Sequence, residues 1–367
     1  MILMNDFKAE PQAVRDAMLA AAKRVIDSGW YVLGKELESF EREWADACGL
    51  AHGVGVANGM DAIEIALRAL EIGPGDEVIT TSMTAFATVL AISRAGAIPV
   101  LADIESDTGL LSRESVRRCI SERTKAVLLV HLYGQVRDMD AWRALCAEHE
   151  ITLIEDCAQA HLATWQGQVA GAFGRAGAYS FYPTKNLGAP GDAGMLVTGD
   201  EALAKKSARL RNYGQSVRYH HPELGMNSRL DEIQAAMLSA RLHWLAEFTD
   251  RRRDIADAYF SGIGNPRVRP LSRPQEKTAH VYHLFVVNCD ARDELQAHLN
   301  ANGVQALIHY PIPVHHQEPC VDVRLDPQGM ARTEQHAKTC LSLPCHPQMT
   351  DADVARVIAA VNAFKNS

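Results

Sequence analysis

The sequence has no C-x-x-C pair, no basic block longer than Arg251-Arg252-Arg253, no internal repeat and no apolar run long enough to cross a membrane. Its longest apolar run, Ala85 to Ile92, contains a threonine and falls far short of the roughly 18 residues a span needs. The start, Met1-Ile-Leu-Met-Asn-Asp6, lacks the basic opening and long apolar core of a secretion signal, so a soluble, cytoplasmic protein is expected. Eight scattered cysteines (48, 119, 146, 157, 289, 320, 340 and 345) then read as reduced core residues. His280-x-x-His283 and His315-His316 sit in no HExxH or Cys/His framework, and no metal site is expected. The balance of 37 basic against 45 acidic side chains, net −8, argues against a nucleic-acid partner.

What remains is an ordinary globular composition, 47% hydrophobic and 22% charged over 367 residues. Short apolar runs at 78–80, 98–101, 126–130 and 151–155 alternate with helical patterns at 61–70, 85–95, 112–121 and 139–149, which predicts βαβ units and a mainly parallel sheet. One or two long helices are expected over 227–260. Beyond them a strand at 281–287, a helix at 292–300 and a strand at 304–309 predict a smaller α+β domain. The predicted division is a large α/β domain over 1–245 and a small C-terminal one over 246–367.

Four polar segments fall where such sheets bind ligands, beyond the carboxyl ends of strands. In Gly53-Val-Gly55-Val-Ala-Asn58-Gly59-Met60-Asp61 a strand runs through a glycine turn into a helix N-terminus, either a phosphate site or a plain turn. A dinucleotide fingerprint is excluded, because Asp76 and Glu77 precede the second strand where an acid should end it. In Glu155-Asp156-Cys157-Ala158-Gln159-Ala160-His161, Asp156 follows an apolar strand, as a helix-capping carboxylate or as partner of a protonated pyridine nitrogen. Lys185, in Tyr179-Ser180-Phe181-Tyr182-Pro183-Thr184-Lys185-Asn186-Leu187-Gly188, is a surface lysine or an amine whose pKa a desolvated aromatic site lowers. Gly225-Met-Asn227-Ser228-Arg229-Leu230-Asp231-Glu232 opens a helix, with Asn227 or Ser228 as its cap and Glu232 in a capping role.

The order of N-G-x-D-A, E-D-x-A-Q-A-H, S-F-Y-P-T-K-N-L-G and G-x-N-S-R-L-D-E-I-Q-A-A resembles the DegT-type sugar aminotransferases, from Tyr31-Val-Leu-Gly-Lys35 to Ile308-His309-Tyr310-Pro311. The resemblance implies a fold-type I enzyme using pyridoxal 5′-phosphate on nucleotide-linked keto sugars. It implies that Lys185 binds the cofactor covalently and moves the proton, that Asp156 pairs with the ring nitrogen and Gln159 with the ring hydroxyl, and that Phe86 stacks on the ring. Ser180 and the amides of Gly59 and Met60 would hold the phosphate, and Asn227 would reach the phosphate of the neighbouring subunit in a homodimer with shared sites. Tyr31, His161, Tyr182, His309 and Tyr310 become candidate substrate contacts. Met60 stands where many relatives carry a hydroxyl, and Leu162 where the similar branch usually has glycine. That branch aminates C3 of dTDP-linked 3-keto-6-deoxyhexoses, with glutamate as expected donor. Alternatives are C4 amination of a dTDP, UDP or GDP sugar, a cyclitol substrate, or a non-catalytic regulator; dehydration at C3 is disfavoured by Lys185, because a histidine replaces it there.

Overall fold

The computed structural model describes residues 1–365. Helices α1 (Gln12–Ser28) and α2 (Lys35–Ala47) lead into β1 (His52–Val56) and α3 (Gly59–Ala69). Then β2 (Glu77–Thr81), α4 (Phe86–Arg94), β3 (Ile98–Ala102), α5 (Arg113–Cys119), β4 (Thr124–Val130), α6 (Met139–Glu148) and β5 (Thr152–Asp156) alternate as expected. A short hairpin, β6 (Thr164–Trp165) and β7 (Gln168–Val169), precedes β8 (Ala176–Ser180) and β9 (Gly194–Thr198). Three helices follow, α7 (Glu201–Leu210), α8 (Glu232–Leu242) and α9 (Leu245–Gly262). The remaining chain forms β10 (Arg269–Pro270), β11 (Phe285–Asn288), α10 (Arg292–Ala301), β12 (Arg324–Leu325), α11 (Ala331–Thr339), β13 (Cys340–Leu343) and α12 (Asp351–Ala363).

Eight strands make one sheet in the order β1-β9-β8-β5-β4-β2-β3-β12, and only β9 runs antiparallel to its neighbours. Apolar clusters cover both faces: Val127, Leu129, Leu153 and Trp142 on one, Val56, Ile65, Leu128 and Ile154 on the other. Doubly covered parallel strands need continuous apolar runs, which is why β2 to β5 were legible in the sequence. A separate sheet, β10-β11-β13, packs with α9, α10 and α12 around its own core. All eight cysteines are buried and unpaired.

Three expectations are corrected. Residues 304–309 form no strand, because Gln305 bonds to Ile2 and Leu307 to Ser342, two different neighbours that give isolated bridges rather than a ladder. Strand β11 begins only at Phe285; Val281 and Leu284 instead donate to the carbonyls of Gly134 and Tyr133. The long helical region, expected as one or two helices, is two, α8 and α9, and starts at Glu232 rather than 227. Residues 227 and 228 are drawn off by a bridge from Asn227 to Asn212 and by Ser228, which bonds Arg211 and accepts from Ala57 N.

Candidate active site

The site is built at the carboxyl ends of β5 and β8. Asp156 is the last residue of β5, registered beside Ala178 of β8. Its Oδ2 accepts from Thr88 Oγ1 at 2.9 Å and its Oδ1 from Ala158 N at 3.1 Å. Thr88, in the first turn of α4, is itself set by Thr84 Oγ1 at 2.9 Å. Burial raises the Asp156 pKa, opposed by these two donors and by the positive charge of Lys185. A buried carboxylate with acceptor capacity to spare is stabilised by a further cationic donor.

Lys185 lies in the turn after β8, its N–H donating to Tyr182 O at 2.8 Å. Burial pushes its amine down to about 8, and Asp156 pulls it partly back up. An amine so placed is available as a nucleophile and base near neutral pH.

Helix α3 begins against the end of β8. The Asn58 side chain caps Asp61 N at 2.9 Å, while the first-turn amides of Gly59 and Met60 have no partner within the helix. A Cβ on Gly59 would lie 2.7 Å from Ser180 Cβ, so glycine is required for the helix N-terminus to approach the Ser180 hydroxyl this closely. Gly194 of β9, paired with Ser180 of β8, is constrained alike: a Cβ there would be 2.3 Å from the Asn58 carbonyl carbon. Amides, helix dipole and hydroxyl together form an anion cradle.

The far wall carries Gln159, Tyr310 and His309. Gln159 Oε1 accepts from Tyr133 N at 2.6 Å, and its Nε2 donates to Tyr310 Oη at 3.2 Å. Burial pushes the Tyr310 phenol up to about 12. His309 places Nδ1 2.9 Å from Ser342 Oγ, and burial with the Lys185 charge pushes it down to about 4, leaving the ring neutral. Phe86 is half-buried at the start of α4, packed on Val89, Leu101 and Val314, and Met60 is half-buried against the core. Tyr31, Tyr182 and Asn227 are exposed on this single chain.

His161 is a correction. It is 1% exposed and packs edge-on against Trp44, Tyr179 and Phe181. Leu187 N donates to Nδ1 at 3.1 Å, so Nε2 carries the proton and donates to Ser180 O at 3.0 Å. Burial lowers its pKa to about 3. With both ring nitrogens engaged by main chain, it positions Ser180 and the lysine loop and offers nothing to a substrate. Glu232 is a second correction: it caps α2, accepting from Gly34 N, Glu36 N and Leu37 N at 2.8, 3.0 and 3.1 Å. Nor do His280 and His283 pair. His280 stacks on Tyr282, whereas His283 Nδ1 sits 3.2 Å from Asn186 Oδ1, beside Lys185.

Sequence reasoning missed three supporting residues. Thr88 was signalled by its spacing of four from Thr84, just before an apolar helix; Tyr133 and Asn186 carried no local signal, because their contacts to Gln159 and to Val281 O come from distant segments. The assembled donors suit a planar protonated ring with an anionic tail and a carbonyl carbon that an amine attacks. Pyridoxal 5′-phosphate presents all three.

A model of the DegT/DnrJ/EryC1/StrS aminotransferase family matches residues 12–362. The chain is 47% identical over 362 residues to dTDP-3-amino-3,4,6-trideoxy-alpha-D-glucose transaminase of Streptomyces venezuelae, covering 98% of this chain and 95% of that one. It is 44% identical over 364 residues to dTDP-3-amino-3,6-dideoxy-alpha-D-galactopyranose transaminase of Aneurinibacillus thermoaerophilus, covering 99% of each. The crystal structure of S. venezuelae DesV in complex with a ketimine intermediate matches with a TM-score of 0.95 at 45% identity, covering 98% of this chain and 97% of that chain.

Proposed function

Because the chain belongs to the DegT/DnrJ/EryC1/StrS aminotransferase family, we propose that it uses pyridoxal 5′-phosphate to move an amino group from glutamate to C3 of a dTDP-linked 3-keto-6-deoxyhexose. The observation that carries the chemistry is the pair at the sheet end: a buried carboxylate at 156 whose pKa is raised, and an amine at 185 whose pKa is lowered, each sensing the other's charge. The sugar and its position are supported by the two dTDP-3-amino-sugar transaminases, similar over nearly their whole length.

When bound, the protonated pyridine ring supplies an electron sink for proton removal at carbon. Asp156 would accept the ring N–H and thereby hold the ring in its protonated form. Lys185 Nζ takes a proton from the α-carbon of glutamate in one half-reaction and delivers one to sugar C3 in the other. Ser180 Oγ and the amides of Gly59 and Met60 would hold the phosphate, Gln159 the ring hydroxyl, and Phe86 would cover the ring face. Tyr31, Tyr182, His309 and Tyr310 surround the sugar nucleotide. Asn227 completes the phosphate site of a second copy in a homodimer, a reading supported by exposed Trp30, Tyr31, Val217, Tyr219 and Leu224. Among the described residues no helix is long and apolar enough to cross a membrane; we place the enzyme in the cytoplasm. The division near residue 246 belongs to the same reading; the separate sheet β10-β11-β13 supports it, although β12 returns to the edge of the large sheet.

The test is incubation with glutamate and dTDP-3-keto-6-deoxyhexoses of axial or equatorial C4 hydroxyl, alongside a 4-keto isomer, with products read by mass spectrometry and NMR. Amination at C3 is expected; turnover of the 4-keto isomer alone refutes it.

A further inference from the structure

His315, His316 and Glu334 bring three ligand atoms within 4.8 Å of one another. The two histidines lie in the 3-10 turn Val314–His316, and Glu334 projects from α11. His315 Nε2 is 3.5 Å and His316 Nε2 3.7 Å from the same oxygen, Glu334 Oε1. These separations are too long for good hydrogen bonds. They are close to the edge of a tetrahedron around zinc, which is about 3.4 Å when nitrogen and oxygen ligands sit about 2.1 Å from the ion.

His315 is already prepared as a ligand. Its side chain is 5% exposed, and its Nε2 has no hydrogen-bond partner among the described residues. On the other side of the ring, Nδ1 lies 2.6 Å from Ser82 Oγ, which also accepts the His315 main-chain N–H at 3.2 Å. With the ring proton on Nδ1 and donated to Ser82, the Nε2 lone pair is left buried and aimed at the cluster. This is the outer hydrogen bond that orients metal-bound histidines. A buried acceptor with no donor is costly, and an ion between the three side chains removes the cost.

We infer that His315, His316 and Glu334 bind a divalent transition-metal ion of the zinc class, with water in the fourth position. Two imidazoles and one carboxylate favour such an ion over magnesium or calcium. The ion clips the 314–316 turn to α11. Val314 N bonds to Ser82 O at 3.0 Å and its side chain packs with Phe86, while two residues beyond Glu334 His336 Nε2 lies 2.9 Å from Tyr133 Oη. The clip therefore ties together two supports of the cleft, and the inference does not depend on which sugar is aminated.

The experiment is zinc titration of the untagged, chelator-treated holoenzyme, using competition with a chromophoric chelator and thermal melting. One zinc per chain is expected, with a higher melting temperature in zinc and no competition from excess magnesium. His316→Ala and Glu334→Gln, both at solvent-exposed side chains, should melt like the parent protein without zinc. Each should weaken zinc binding by on the order of 10–100-fold and remove the thermal shift. Absence of stoichiometric zinc binding in the parent, or equal affinity in both variants, overturns the site.

Discussion

Glu155 and Asp156 are neighbours at the end of one strand, both buried, and they face opposite sides of the sheet. On the Glu155 side the chain saturates the carboxylate: Gly171 N, Phe173 N and Gly174 N donate at 2.8, 2.8 and 2.7 Å, and His131 Nε2 at 2.8 Å. On the Asp156 side, among the described residues, only Thr88 and Ala158 donate, and burial raises the pKa. The difference separates architecture from chemistry. One acid is fully used in closing the loop after the β6–β7 hairpin onto the sheet, and the other is left under-satisfied so that a bound group can complete it.

The comparison breaks most completely at the amine. Lys185→Ala is expected to lower kcat by at least about 10³-fold, since it removes the proton carrier, while leaving the melting curve of the cofactor-free protein cooperative. Asp156→Asn should follow with a loss of about 10²–10³-fold, read in the rate of the first half-reaction with glutamate. Glu155→Gln should do the reverse. It is expected to cost about 3 kcal/mol of stability, because an NH2 replaces an acceptor facing four donors, and to change kcat of the folded protein only a few-fold. Urea unfolding checks the first part, and equal losses of stability in Glu155→Gln and Asp156→Asn would erase the distinction.

Two finer tests follow. In the cofactor-free protein, Lys185 should be acylated with a midpoint near its lowered pKa of about 8, well below the ordinary lysine value of about 10.4. Because the Asp156 charge raises that pKa, Asp156→Asn should move the midpoint lower still. The smallest effect is expected at Met60. Met60→Thr adds a hydroxyl at the α3 N-terminus and should tighten cofactor retention by about two- to ten-fold, measured by dialysis against dilute cofactor.

Legibility in the sequence tracked how local the cause was. Strands β2 to β5 announced themselves because both of their faces are covered, and the Asn58 turn because its cap and glycine are adjacent. Glu232 was read as a cap of its own helix because a capping pattern is local, yet its carboxylate serves α2, nearly two hundred residues away in sequence. His161 looked available beside Asp156 and Gln159; only the packing of Trp44, Tyr179 and Phe181 around it turned it inward.

By itself the sequence determined the alternation of strands and helices, the positions of the carboxylate and the amine, and the family they belong to, since apolar periodicity and motif spacing are properties of contiguous residues. Tertiary structure alone decided which carboxylate is saturated, which histidines are walls, and that ligand atoms of 315, 316 and 334 lie within 4.8 Å of one another. Those outcomes depend on desolvation and on donors from remote segments, which no stretch of chain carries in its own order.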